Sequence, residues 1–288
     1  MKNEEKVKNL HEKNYSTGEI ANELKMKNSN VSMYLNKIYG KNRTKNLNHK
    51  VLNKKYKVNE DYFNSIDTKD KAYFLGLLYA DGCISSNSNV IQIALQKEDE
   101  NILEVFSKKI ETIKPLRLIK SDIIKGFDSK KQYKRKEQIL MYIHSLKMKK
   151  DLIKLGCTPK KSLTLKFPTK EQVSKQFIPD FLRGYFDGDG NIYEGTKNRW
   201  SISIAGNIAF CNSLQLIFNE NNINSSITKH ITNNIYYLRI FGRLNCIDFY
   251  NFIYKDSTIY LERKYKKFKK CLNSTNIIRD GNSWKKKK

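Results

Sequence analysis

Residues 182–190 read LRGYFDGDG, and residues 74–82 carry a closely related stretch, FLGLLYADG. Each stretch is an apolar helical turn that contains a glycine and ends in an acidic residue followed by another glycine. A glycine inside a helix costs about 1 kcal/mol relative to alanine. The presence of Gly76 and Gly184 therefore predicts that two helix backbones approach each other closely at these residues.

The acidic residues of the two stretches, Asp81 and Asp189, fall at the predicted helix C-termini. The helix macrodipole disfavours negative charge at that end, and a bound cation would offset the cost. Two ordinary Asp-Gly turns after buried helices are the alternative. Because both copies precede a similar pattern of strands and helices, an internal duplication is the better interpretation.

The composition indicates a polyanionic partner. The chain has 288 residues, with 55 Lys and Arg against 29 Asp and Glu, and a formal net charge of +26. Such an excess repels itself unless a polyanion such as nucleic acid relieves it. An ordinary basic protein from an AT-rich genome, whose codons inflate Lys, Asn and Ile, remains the alternative. The length suits two or three small domains.

Several classes of protein are not expected. No stretch approaches the ~18 apolar residues of a membrane span, so no membrane partner is predicted, and the polar N-terminus is no secretory signal. The five cysteines lack CxxC spacing, which argues against a zinc site or a disulfide framework and for a reducing compartment. The four histidines are scattered and form no metal-binding cluster in the sequence.

Residues 1–40 are predicted to form a helix-turn-helix unit. Ser16 or Thr17 can cap a first helix through Leu24, and a second helix runs over residues 29–38. The predicted buried positions are Ile20, Ala21, Leu24, Met26, Val31, Tyr34 and Leu35. The predicted base-reading positions, at the exposed start of the second helix, are Asn28, Ser29 and Asn30. A helical hairpin without groove contacts is the alternative.

The rest of the chain divides into a linker and two similar halves. Residues 41–70 form a basic linker, which either tracks phosphates or is a solvated spacer. In residues 71–170, strands are predicted at 90–96, 116–119 and 138–143, and helices at 99–111 and 147–155. In residues 171–288, strands are predicted at 200–205, 227–231 and 236–241, and helices at 207–219, 243–253 and 262–271. The basic C-terminal residues 285–288 are predicted to be a mobile, solvated tail.

This order predicts two tandem αββαββα units, hence an α+β fold of two four-stranded antiparallel sheets with helices on one face. Paired motif helices would relate the sheets by a pseudo-two-fold axis and make a basic β-saddle. The paired stretches resemble the two signature motifs of LAGLIDADG homing endonucleases of the double-motif, monomeric type. The resemblance covers about residues 60–270.

The resemblance implies a set of active-site residues. Asp81 and Asp189 match the metal-binding catalytic acids, and the preceding carbonyls of Ala80 and Gly188 help to coordinate the metal. Family members also place a basic residue near each metal centre, for which Lys161 and Lys264 are predicted, with Lys160 and Arg263 as alternatives. A polar amide at an early strand end matches Gln96 and Asn207. Tyr79 stands where the second motif has Asp187, which is predicted to be structural.

Phosphodiester hydrolysis requires a cation that neutralises phosphoryl charge and activates water. Hard divalent ions prefer oxygen ligands and keep several waters, so one carboxylate per site can suffice. The predicted cofactor is Mg²⁺ or Mn²⁺, with Ca²⁺ supporting binding without cleavage.

Base readout is predicted from strand residues on the open sheet faces. Arginine can bond guanine through two hydrogen bonds, and serine adapts to several bases. The candidates are Arg117, Arg135, Arg199, Ser201, Ser203, Lys229 and Arg239. A register slip of one residue would invert every choice.

The predicted function is site-specific cleavage of both strands of a long asymmetric DNA duplex by a monomeric hydrolase. The alternative is a cleavage-inactive protein of the same fold: a splicing maturase that binds intron RNA, or a transcription regulator. The presence of both acids favours the enzyme. The predicted location is the cytoplasm of a bacterial or phage-infected cell, associated with the nucleoid, or an organelle, and intron mobility is the expected biological context.

Overall fold

The computed structural model describes residues 3–12, 15, 17–40, 56–125, 132–161, 164–231, 234–274, 277–280 and 283–286. The chain divides into two compact units, residues 1–58 with 111–114 and residues 59–110 with 115–288. Most of the predicted basic linker, residues 41–55, lies outside the described residues. No described helix has both the length and the apolar character needed to cross a bilayer.

Among its described residues, the N-terminal unit has the helices α1 (Asn3–Glu12), α2 (Thr17–Glu23) and α3 (Asn28–Tyr39). The helix pair α2–α3 lies at the predicted positions, whereas α1 is not among the predicted helices because half of its residues are charged and few are apolar. The buried core consists of Val7, Ile20, Ala21, Val31 and Leu35, with Leu24, Met26 and Tyr34 packed against it. The predicted base-reading positions Asn28, Ser29 and Asn30 are exposed in the first turn of α3. Their contact with DNA remains a prediction.

The core of this unit also holds a histidine. His11 is 4% exposed, and its ring centroid lies 5.3 Å from that of Tyr39. Burial lowers the pKa of His11, although the Tyr15 backbone and the charge of Glu12 act in the opposite direction.

We expect the N-terminal unit to lose stability in acid. A histidine with a lowered pKa in the folded state binds its proton first in the unfolded chain, so the free energy of unfolding falls as pH drops below about 6.5. Amide exchange of residues 17–39, corrected for intrinsic rates, should show less protection at pH 5 than at pH 7.5. The variant His11→Leu should remove this difference, and equal protection of the parent protein at both values would contradict the assignment.

The second unit contains two copies of the predicted element order. The first copy consists of α4 (Lys69–Asp81), β1 (Gly82–Ile84), β2 (Val90–Gln96), α5 (Glu100–Lys109), β3 (Arg117–Ile119), β6 (Gln138–His144) and α6 (Leu146–Lys154). The second copy consists of α7 (Ile178–Asp189), β7 (Gly190–Glu194), β8 (Trp200–Gly206), α8 (Ile208–Glu220), β9 (Ser226–Lys229), β10 (Tyr236–Phe241) and α9 (Arg243–Tyr254), and is followed by α10 (Glu262–Asn273).

Each copy forms a four-stranded antiparallel sheet, with strand orders β1-β2-β6-β3 and β7-β8-β10-β9. Corresponding strands occupy corresponding places, which confirms the predicted fold class. In the second sheet α8 and α9 contact β8 and β10. The side chains buried beneath them are Ile202, Ile204, Leu238 and Ile240.

Two short hairpins are absent from the prediction. Strands β4 (Asp122–Lys125) and β5 (Gln132–Arg135) follow β3 in the sequence and pair with each other. Strand β11 (Ile277–Asp280) pairs with β12 (Ser283–Lys286) near the end of the chain. Lys285 and Lys286 of the predicted tail lie in β12, and their solvation remains a prediction. Both hairpins carry many charged residues, which hide the strand pattern.

The motif helices α4 and α7 pack against each other at the centre of the second unit. Both are buried along almost their whole length. A Cβ atom on Gly76 would lie 2.0 Å from the Phe181 carbonyl oxygen, and one on Gly184 would lie 1.9 Å from the Tyr73 carbonyl oxygen. The helix crossing therefore has no room for any side chain at Gly76 or Gly184.

Candidate active site

The crossing of α4 and α7 brings their acidic C-terminal residues together. Asp81 is the last residue of α4, and Asp189 is the last residue of α7. A Cβ on Gly188 would lie 2.3 Å from the Ala80 Cβ and 2.7 Å from Asp81 Oδ2. The Asp81 carboxylate thus lies directly against the last turn of α7.

The charges of the two acids repel each other in this concave site. Burial, followed by the charge of Asp189, raises the pKa of Asp81 to about 7. Asp189 is exposed to solvent, and the protein atoms around it nevertheless raise its pKa. The positive charges of Lys161 and Lys264 lower the pKa of both acids.

Lys161 and Lys264 occupy corresponding positions at the ends of the motif helices. The Lys161 Nζ donates to the carbonyl of Gly82, which follows α4. The Lys264 Nζ donates to the carbonyl of Gly190, which follows α7, at 2.6 Å. Their exposed fractions are only 9% and 4%, and burial lowers the pKa of Lys264 to about 8. Both ammonium groups therefore lie beside the two acids.

The alternative basic residues are placed differently. Lys160 is exposed and has a left-handed backbone, with φ of 54°. The Arg263 Nε lies 2.9 Å from Oδ2 of the buried Asp99, which belongs to the first copy. The charge of Arg263 still reaches Asp81 and lowers its pKa, but its guanidinium is already engaged.

A cavity of about 240 Å³ opens beside Asp189. It is lined by residues of both copies, among them Tyr79, Ala80, Lys161, Tyr185, Asp189 and Asn207. The Asn207 side chain caps α8, accepting from the Phe210 N–H at 2.9 Å and donating to the Leu165 carbonyl at 2.7 Å. Asn207 thus lines the cavity while its amide is already bonded to protein.

The other predicted amide, Gln96, has a different setting. It is the last residue of β2, lies opposite Gln138 in β6, and is half-buried. The two predicted amides are therefore not structurally equivalent, since Asn207 lies one residue beyond the end of β8.

The sixth positions of the two motifs are buried. Asp187 is 0% exposed and accepts hydrogen bonds from the Tyr73 hydroxyl, the Tyr254 hydroxyl and the Leu261 N–H. Burial raises its pKa. These contacts agree with a structural role for Asp187.

The donor atoms at this point suit a hard divalent cation. Two carboxylates with raised pKa values, and the carbonyls of Ala80 and Gly188, offer oxygen ligands of the kind Mg²⁺ prefers. Among the described residues, no group of three or more His, Cys, Asp or Glu side chains forms a closed metal cage. A cation held here would keep waters or phosphate oxygens as its remaining ligands. The Lys264 Nζ lies 3.4 Å from the Gly188 carbonyl oxygen. This oxygen would therefore contact both the ammonium group and a bound cation.

The open face of the second sheet carries polar and aromatic side chains. Ser201 and Ser203 alternate with the buried Ile202 and Ile204 along β8, so they point away from the helices. Arg239 lies opposite Ser203, and its Nε is 2.9 Å from the Thr228 hydroxyl. Arg199 is exposed just before β8.

The register differs from the prediction at Lys229. Lys229 pairs with Tyr236 of β10. Tyr236 lies on the same sheet face as Leu238 and on the opposite face from Arg239. The sequence predicts Lys229 on the open face of the sheet. The strand alternation places it on the face that packs against the helices. In the first sheet, Arg117 is exposed and lies opposite Leu140, on the face of Ala94. Arg135 lies in β5 opposite Asp122, and its side chain is outside the described part of the structure.

Several open-face residues are absent from the prediction. Gln92 lies opposite Tyr142 in the first sheet, and Asn191 lies opposite Ser203 in the second. Tyr193 is 61% exposed on the same face as Asn191. The period-two alternation of Ile91, Ile93 and Leu95 is the signal that identifies Gln92.

For the DNA cleavage that the sequence predicts, we expect Lys161→Met and Lys264→Met each to slow the reaction by at least about 10²-fold, the usual cost of removing one group that stabilises developing charge. Lys160→Met is the matched control, because it removes a neighbouring exposed lysine. Rates under single-turnover conditions, with Tm as a check on folding, measure the effect. A large loss in Lys160→Met with none in Lys161→Met would contradict the placement.

A family profile described as LAGLIDADG-like domain matches residues 177–254. This segment contains the second motif, its sheet and α9, and the match confirms the resemblance for this part of the chain. No curated protein sequence matches the chain.

The solved structures that are similar to this chain include the following three. The meganuclease I-SmaMI, bound to uncleaved target DNA in the presence of calcium ions, is 12% identical with a TM-score of 0.43, over 70% of this chain and 90% of its own. The homing endonuclease I-LtrWI, bound to target DNA, is 12% identical with a TM-score of 0.41, over 73% and 89%. DUF199/WhiA from Thermatoga maritima is 17% identical with a TM-score of 0.43, over 78% and 67%.

Proposed function

We propose that this chain, in which residues 177–254 match a LAGLIDADG-like domain, is a site-specific DNA endonuclease that requires a divalent metal ion. It hydrolyses both strands of a long asymmetric duplex and acts as a monomer, because one chain supplies both motifs. The cytoplasm or an organelle is the proposed location, and mobility of an intron or intein is the proposed context.

The observation that carries this proposal is the convergence of two acids and two lysines at the paired helix ends. Asp81 and Asp189 lie together even though burial and the charge of Asp189 raise the pKa of Asp81, and the surrounding protein atoms raise the pKa of Asp189. Lys161 and Lys264 lie beside them with their ammonium groups directed at the helix C-termini. A protein that only binds DNA gains nothing from two carboxylates facing phosphate.

The residues divide the chemistry between them. A divalent ion held by Asp81 and Asp189 would neutralise phosphoryl charge and supply an activated water. The two lysine ammonium groups add positive charge where negative charge develops in the transition state. Arg239, Ser201 and Ser203 on the open sheet face would contact base edges, while surrounding lysines would contact phosphates.

A cleavage selection tests the proposal without knowledge of the target. Purified protein is incubated with a randomised duplex library and Mg²⁺, and fragments with newly formed ends are sequenced. We expect staggered breaks within one long asymmetric consensus, Mn²⁺ in place of Mg²⁺ to be active, and Ca²⁺ to support binding alone. Recovery of a bound consensus without breaks in any metal would overturn the endonuclease proposal.

A second candidate function is a binding protein that has lost cleavage, such as a maturase acting on intron RNA or a transcription regulator. The observation in its favour is that the Lys264 ammonium group contacts the Gly188 carbonyl oxygen, which is one of the oxygens that a bound metal ion would use. The same selection separates the two candidates, because a binder enriches a consensus and leaves every strand intact.

The N-terminal unit is proposed to read flanking DNA through Asn28, Ser29 and Asn30. We expect deletion of residues 1–45 to preserve metal-dependent cutting at the same bonds while weakening affinity. The salt dependence of binding should flatten by about 0.9 per lost phosphate contact, and the footprint should shorten on one side only. A truncated protein with the full footprint and an unchanged salt slope would rule out this role.

A further inference from the structure

The sixth motif positions, Tyr79 and Asp187, differ in chemistry but share a structural relation. Each is buried at the helix crossing, with an exposed fraction of 1% or less. Each makes a hydrogen bond from its side chain to the backbone of the segment that carries the basic residue of its own copy. Asp187 accepts such a bond, whereas Tyr79 donates one.

In the second copy, the bond fixes the start of α10. The Asp187 Oδ2 accepts from the Leu261 N–H at 2.8 Å, and Leu261 is the N-cap residue of this helix. The Lys264 N–H in turn donates to the Leu261 carbonyl at 3.0 Å. Lys264 therefore lies one helical turn from the tethered residue, and its side chain reaches the carbonyls of Phe186 and Gly190 at 2.6 Å.

In the first copy, the bond fixes the end of α6. The Tyr79 hydroxyl donates to the carbonyl of Leu155, the C-cap residue of this helix. The next residue, Gly156, has φ of 92°, and a Cβ there would lie 2.1 Å from the Tyr79 hydroxyl oxygen. The tyrosine thus fits against a turn that only glycine adopts readily, and the chain then leads to Lys161.

We propose that Tyr79 and Asp187 are positioning residues, each of which tethers the chain segment that places the basic residue of its own copy. The substitution of tyrosine for aspartate in the first motif is then a reversal of hydrogen-bond polarity rather than a loss. An acceptor suits the free N–H at the start of α10, and a donor suits the free carbonyl at the end of α6, because helix ends leave such groups without partners inside the helix.

The consequence rests on the proposed function and on the assignment of one lysine to the cleavage of each strand. Loss of one tether should then slow one strand more than the other. A structural residue without this role would slow both strands alike, because α4 and α7 form a single core.

Strand-resolved cleavage of an end-labelled duplex tests the proposal. Lys161→Met and Lys264→Met define which strand depends on each lysine. Asp187→Ala should shift the ratio of strand cleavage rates in the same direction as Lys264→Met, and Tyr79→Phe in the direction of Lys161→Met. We expect a shift of about tenfold, since small misplacements of a catalytic group cost up to ~10²-fold.

Two further variants separate the tether from charge and from stability. Asp187→Asn keeps an oxygen that accepts from the Leu261 N–H, so its strand ratio should remain close to that of the parent protein. Tyr254→Phe removes the 2.6 Å bond to Asp187 Oδ1 and leaves the bond to Leu261. It should lower Tm without changing the strand ratio.

The tether also has a readout without metal or DNA. Amide exchange of residues 260–268 should increase in Asp187→Ala, and that of residues 154–161 in Tyr79→Phe. Equal slowing of both strands by either variant, or an Asp187→Asn ratio equal to that of Asp187→Ala, would overturn the proposal. If the parent protein cuts neither strand, the proposed function fails, and unchanged exchange in both segments would still reject the tether. Should Asp187→Ala fail to fold, Tyr79→Phe decides.

Discussion

Asp81→Asn and Asp189→Asn are each expected to slow double-strand cleavage by at least about 10³-fold, because the charge stabilisation supplied by a bound metal ion is worth several kcal/mol and ~1.4 kcal/mol is a factor of ten. Affinity for the target should stay within a few-fold of the parent value. Each substitution removes a metal ligand and also a negative charge that repels phosphate.

Asp81→Asn is also expected to change stability, and in the favourable direction, in contrast to its effect on cleavage. Burial raises the pKa of Asp81 to about 7, which means that its charged form is disfavoured in the folded protein above that pH. The free energy of unfolding of the metal-free protein should therefore fall as pH rises from about 4 through 7. At pH 8, Asp81→Asn should match or exceed the Tm of the parent protein.

Glu104→Gln is the matched control, because it removes one negative charge from an exposed position on α5. It should alter neither cleavage nor Tm. Single-turnover rates on a labelled duplex and thermal melts without metal provide both readouts. Full cleavage by both aspartate variants would contradict the assignment of Asp81 and Asp189 as metal ligands. Full cleavage by only one variant would indicate that the other acid holds the ion.

The fold could be predicted because the motif repeats and the strands alternate clearly. The glycine within each apolar helix indicates a close crossing from composition alone, and Asp81 and Asp189 follow at equal positions. The predicted bounds of strand β2 match the observed ones, since Ile91, Ile93 and Leu95 alternate with small or polar residues. These signals are local, so one sequence is enough to find them.

The details of the site could not be predicted because they depend on contacts between distant segments. The sequence does not distinguish Lys161 from Lys160, and only the turn before Lys161 decides which side chain points toward Gly82. The ion pair between Arg263 and Asp99 joins residues from different copies. The predicted face of Lys229 is wrong because strand register cannot be read from an isolated four-residue strand.

Gly76→Ala and Gly184→Ala are expected to have the largest effects on stability. The added Cβ would lie 2.0 Å from the Phe181 carbonyl oxygen in the first variant and 1.9 Å from the Tyr73 carbonyl oxygen in the second. Both neighbours are backbone atoms of the facing helix, so neither can move aside as a side chain would. We expect a loss at or above the upper end of the usual ~1–3 kcal/mol for overpacking, or about 10 °C in Tm.

The sign of the change distinguishes this crossing from helix propensity, which favours alanine over glycine by about 1 kcal/mol. Gly18 lies in α2, where an added Cβ would have no atom within 4 Å, and Gly195 has its nearest neighbour at 3.4 Å with φ of −88°. Gly18→Ala should stabilise the N-terminal unit, and Gly195→Ala should leave Tm nearly unchanged. If Gly76→Ala and Gly184→Ala instead raised Tm as Gly18→Ala does, the helices would not cross at these residues. The shared position of Asp81 and Asp189 would then lose its structural basis, because the close crossing is what brings the two acids to one end of the helix pair.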